Sequence, residues 1–147
     1  MNRSMYSVLM ASIVVGLSAA PMWAGDTKVE KEILDERASD INAKAKKPGL
    51  REVALRSVSV ETGVPRDEVE AMYKRHDSIA GVLIASVLAD ETKKPPEYFW
   101  EKRTAGKKSW TTLARDYRVP LEKINDRLGH LERDLARAGE PERDRRK

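Results

Sequence analysis

The sequence predicts an all-α protein: a compact bundle of about five to six short helices, preceded by a signal peptide and a charged helix. Three observations carry that expectation. Leu121, Ile124, Leu128, Leu131 and Leu135 step by threes and fours, the stripe of an amphipathic helix. Residues 78–89 are apolar on nearly every side, as expected of a helix buried in the middle of a bundle. A corner built around proline occurs three times.

The elements divide the 147 residues into 1–24, a signal peptide; 25–49, a charged helix and linker; 50–138, the helical domain; and 139–147, a charged tail expected to be disordered. The first segment has a short start with Arg3, an apolar run over 8–20, and Pro21 before Ala24-Gly25. That run is too short to span a bilayer, which takes about 20 residues, and fits a cleaved export signal. Cysteine is absent, which excludes disulfides, thiolate metal sites and thiol catalysis.

In the charged segment, Thr27 and Glu30 have capping-box spacing, and Val29, Ile33, Ala38, Ile41 and Ala45 form a thin apolar face. The three corners come next. An apolar residue is followed by proline at +7 and a second apolar residue at +11: Val58, Pro65, Val69; Leu88, Pro95, Phe99; Leu113, Pro120, Ile124. An acid sits three after the first apolar residue (Glu61, Glu91, Asp116) and two after each proline (Asp67, Glu97, Glu122). Proline suits the first helical position, where its missing N–H costs nothing, and an acid just inside meets free backbone N–H groups. Gly63 suits a left-handed residue after a helix end. These signals predict helices over 50–61, 65–75, 78–91, 95–104, 110–117 and 120–138.

Near balance between 28 Lys/Arg and 24 Asp/Glu predicts no general attraction to polyanions, so any basic function must come from a local patch. The densest aromatic and basic stretch is Tyr98-Phe99-Trp100, then Lys102, Arg103, Lys107, Lys108 and Trp110. Phe99 and Trp110 are expected to face the core, with Trp100 about 100° away around the helix and exposed. The candidate binding surface is therefore Tyr98, Trp100, Arg103, Lys107 and Lys108.

Thr62-Gly63-Val64-Pro65 and Gly106-Lys107-Lys108-Ser109-Trp110-Thr111-Thr112-Leu113-Ala114 resemble motifs of small exported bacterial helical proteins, which read T-G-V-P and G-K-x-W-x-x-I/L-A. The likeness runs over residues 53–128, with Thr111 where those proteins usually carry a second glycine. It implies a helical fold and export, and no mechanism.

Catalytic signals are sparse. His76 and His130 stand apart in the sequence without metal-pair spacing, and Ser109 and Thr111 have no base close in sequence. No catalytic residue, metal site or cofactor is expected. The expected function is that of an exported, periplasmic or secreted helical protein that binds or scaffolds a macromolecule or envelope component without catalysis. It has no membrane span in its mature form. A second reading is a helix-turn-helix DNA regulator, which requires that 1–24 is not a signal. Asp67, Glu68 and Glu70 at the start of one candidate recognition helix, and Glu122 and Asp126 in the other, disfavour nucleic acid. An unrecognised hydrolase stands third.

Overall fold

Helix α4 (Ile79–Thr92) runs through the middle and touches each of the other six helices described. Every residue from 79 to 89 is buried, which is why this segment has no polar face. The computed structural model describes residues 27–141, with side chains from Ile33 onward. The expected signal segment, the side chains of Thr27, Val29 and Glu30, and residues beyond 141 lie outside the described residues. Around α4 stand α1 (Thr27–Ala45), α2 (Leu50–Thr62), α3 (Arg66–His76), α5 (Pro96–Gly106), α6 (Trp110–Asp116) and α7 (Leu121–Gly139). The described residues contain helices and turns and no strand.

The corners fall between α2 and α3, α4 and α5, and α6 and α7. All six of their apolar anchors are fully buried. Five residues after each first anchor the backbone turns left-handed, at Gly63 (φ 72°), Lys93 (φ 58°) and Arg118 (φ 56°). That turn lets the free carbonyls of the finished helix accept returning N–H groups, as in Gly63 to Ser59 (2.9 Å), Lys94 to Ala89 (3.2 Å) and Val119 to Ala114 (2.8 Å). Two of the acids at +3 reach α7, Glu61 pairing with Arg127 and His130 and Glu91 with Lys123, while Asp116 pairs locally with Lys108.

The prolines sit one position earlier than the spacing predicts. Pro65, Pro95 and Pro120 are N-cap residues with ψ of 139°, 147° and 126°, and helical geometry begins after them. An N-cap needs an extended ψ and a carbonyl that accepts the first helical bond, both available to proline. Val69 donates to the Pro65 carbonyl at 3.0 Å. Asp67, Glu97 and Glu122 thus occupy the second helical position, still within reach of the positive dipole end.

α1 is held by docking. Its buried stripe is Leu34, Ala38, Ile41 and Ala45, packed on α4, α6 and α7. Ile33, expected in that stripe, is 44% exposed. The four-three-four steps from Leu34 keep one face where Ile33 would lie about 100° off it. Polar contacts then fix the helix along its length. Arg37 pairs with Glu132 at 2.7 Å and donates to the Asn125 carbonyl at 2.9 Å. That guanidinium holds the Glu132 carboxyl below the usual carboxylate range. Asn42 donates to Ser78 Oγ (2.8 Å) and accepts from the Ala80 N–H (3.0 Å), so α1 caps the start of α4.

Candidate binding surface

α5 presents two different sides. Phe99 and Trp100, adjacent in sequence, are both buried. Trp100 retains 7% exposure, which overturns the expectation that it faces solvent. The reason lies in α4: a Cβ on Gly81 would stand 2.4 Å from Trp100 Cη2, so the missing side chain is the space the indole fills. His76 covers the indole face in a parallel stack (4.0 Å between ring centres, 2° between planes), and Trp110 meets it edge-on at 4.8 Å. His76 also contacts Glu97 through Nε2 at 3.0 Å, and His130 meets Glu61 at 2.9 Å, so neither histidine is isolated in space.

Asp35 of α1 ties the end of this side together. Arg103 Nη1 donates to its Oδ1 at 2.6 Å and the Trp110 backbone N–H to its Oδ2 at 2.9 Å. The guanidinium lies 4.9 Å from the Trp110 ring centre. Trp100, Arg103, Lys107 and Lys108 line one shallow groove of about 520 Å³ together with Asp35 and Ser109. Lys107 ends α5 in the left-handed region (φ 49°), and Ser109 caps α6 by accepting from the Thr112 N–H at 3.0 Å. Thr111 is fully buried and accepts from the Leu34 N–H at 3.2 Å, a packing role.

Tyr98 is not part of that groove. On the other side of α5 its hydroxyl meets that of Tyr117 at 2.6 Å. Lys94 Nζ and Lys102 Nζ lie 4.7 Å and 5.3 Å from the Tyr98 ring centre. The Tyr117 hydrogen bond, followed by the charges of Lys102, Lys94 and Lys108, pulls the Tyr98 phenol below its ordinary value. Tyr117 is pushed up to about 12, first by the Tyr98 hydrogen bond, then by burial and the charges of Tyr98 and Asp116.

The sequence thus brings four of its five candidate residues together and leaves Tyr98 with a separate set. Lys94 and Tyr117 were not among the candidates; Lys102 lies four residues after Tyr98, the spacing that puts both on one helix face, while Lys94 precedes the helix. Among the described residues, Lys94, Lys102 and Lys107 have no carboxylate within ion-pair distance. Arg103 and Lys108 have one each. Comparison of the chain with protein-family descriptions, curated proteins and solved structures gives no match.

Proposed function

We propose that this is an exported, non-catalytic helical module that binds an acidic component of the cell envelope through the exposed surface of α5 and the α5–α6 turn. One observation carries the reading: charge on a nearly balanced chain is concentrated there. Residues 93–108 hold six cations against Glu97 and Glu101; Lys93, Arg103 and Lys108 also meet Asp90, Asp35 and Asp116, and Lys94, Lys102 and Lys107 have no carboxylate partner among the described residues. His76 and Arg75 already occupy Glu97. A local excess of this kind draws a polyanion with a strength that falls as salt rises. The apolar run over 8–20, closed by Pro21 and Ala24, supports export. Exposed Asp67 and Glu68 leading α3, and exposed Glu122 leading α7, weigh against DNA at either corner.

The test is retention of the mature protein on isolated cell envelope at low and high salt. Lys107→Glu/Lys108→Glu is expected to abolish retention with little change in the melting curve, because both side chains are exposed. Unaltered retention in that variant, or none by the parent, would overturn the proposal. Mass spectrometry should place the mature N-terminus near Gly25. Intact Met1 in a cytosolic fraction would overturn export and favour the DNA regulator.

A further inference from the structure

We infer that the ligand-contacting centre is the Tyr98–Tyr117 hydroxyl pair with Lys94 and Lys102, on the side of α5 away from the Trp100–Arg103 groove, and that it takes the oxyanion groups of an acidic polysaccharide. This rests on the binding reading above and names its ligand class. The pair has two hydroxyl hydrogens and uses one in its own 2.6 Å bond, which leaves the other to donate outward. Lys94 and Lys102 flank the same ring and lack a carboxylate among the described residues, so six ammonium N–H donors surround one phenol. Donors and positive charge therefore converge, as recognition of carboxylate or sulfate groups requires.

The surroundings select among polyanions. A nucleic acid strand would want open aromatic faces for its bases, but His76 and Trp110 cover Trp100 and the two lysines attend Tyr98. A bilayer would want large apolar side chains to insert beside the cations. Among the described residues, the exposed large apolar side chains, Ile33 and Val60, lie instead on α1 and α2. A hydrated, flexible chain of sugar acids needs neither feature.

Polygalacturonate is a suitable probe, with neutral dextran, mixed phosphatidylglycerol–phosphatidylcholine vesicles and duplex DNA as comparisons, all at low ionic strength. The mature protein should bind polygalacturonate and not dextran, and binding should weaken as salt rises. Lys94→Ala/Lys102→Ala should weaken it about tenfold, the scale of two screened ion contacts. Tyr98→Phe, which keeps the ring between the lysines and removes the hydroxyl that donates outward, should also weaken it. Undiminished binding by the lysine variant, no binding by the parent, or tighter binding to vesicles or DNA would overturn the inference. The two readings fail separately. Envelope retention lost in the Lys107/Lys108 variant but kept at full strength in Lys94→Ala/Lys102→Ala would sink the tyrosine centre alone. Lysine-dependent polygalacturonate binding without envelope retention would uphold the centre and sink the envelope role.

Discussion

Replacing Gly81 with alanine sets two opposed effects against each other. Alanine is the better helix former by about 1 kcal/mol, and Gly81 lies in the first turn of α4, so propensity alone forecasts stabilisation. Packing forecasts the reverse. The new Cβ would meet Trp100 Cη2 at 2.4 Å, Ser78 Oγ at 2.7 Å and Trp100 Cζ2 at 2.9 Å. The indole is a rigid ring held between His76 and Trp110, and Ser78 Oγ is engaged with Asn42 and the Gly81 N–H, so neither neighbour yields freely. Overpacking a filled core costs about 1–3 kcal/mol, and the close approach of a rigid ring places this site at the upper end. The net expectation is a loss of roughly 1–2 kcal/mol, or a fall of roughly 3–10 °C in Tm for a domain of this size. Urea unfolding followed by circular dichroism measures it. Trp100→Phe supplies the control: it removes the indole atoms that reach Gly81, and Trp100 Nε1 has no hydrogen-bond partner to lose. The alanine should cost much less in that background. An unchanged or raised stability for Gly81→Ala with Trp100 intact would refute the account of how α5 packs on α4.

Two further outcomes follow from the corners and the tyrosines. Arg118 holds a left-handed conformation that glycine adopts without steric cost, so Arg118→Gly should stabilise by about 1 kcal/mol in the same assay; a loss of similar size would show that the arginine side chain matters more than its backbone. In a titration followed by phenolate absorbance, Tyr98, beside three ammonium groups, should ionise below the ordinary tyrosine range, and Tyr117, donating to the phenolate so formed, only near 12. For stability the signs oppose: Tyr117 stabilises the fold below its unfolded value and loses that contribution as pH rises towards 12, while the Tyr98 contribution is present at high pH and fades as pH falls through its lowered value. Tyr117→Phe should return Tyr98 upward, and a Tyr98 transition unmoved by it would break the assignment.

What the sequence revealed depended on range. The corners were legible because their anchors, prolines and acids lie within eleven residues of one another, and that spacing reports helix ends directly. The one-position shift of the prolines was hidden, since the first helical residue and the N-cap both tolerate a fixed φ and a missing N–H. Trp100 was misplaced because its burial depends on Gly81 in a different helix, and nothing near Trp100 marks that gap. Asp35 was equally invisible as the tie between α1, Arg103 and Trp110, being 68 residues from one and 75 from the other. Lys102 could have been added from its four-residue spacing to Tyr98, but Lys94 could not, since it precedes the helix. Tyr117 could not, because it arrives through the packing of α6 on α5.

The central position of α4 also bears on how the chain is made. Its apolar surface is covered by helices before and after it, and α7 contributes Leu128, Leu131 and Leu135 near the end of the described chain. A growing polypeptide that has just produced residues 79–89 therefore has only part of their cover, and the native core waits for nearly the last turn of α7. For a protein proposed to pass through a secretion channel this order is useful. A chain still short of α7 would lack part of its core cover, and so would be open to threading before the fold closes. The same order leaves an uncharged apolar stretch open in the meantime, which a cell would have to shield from aggregation during transit.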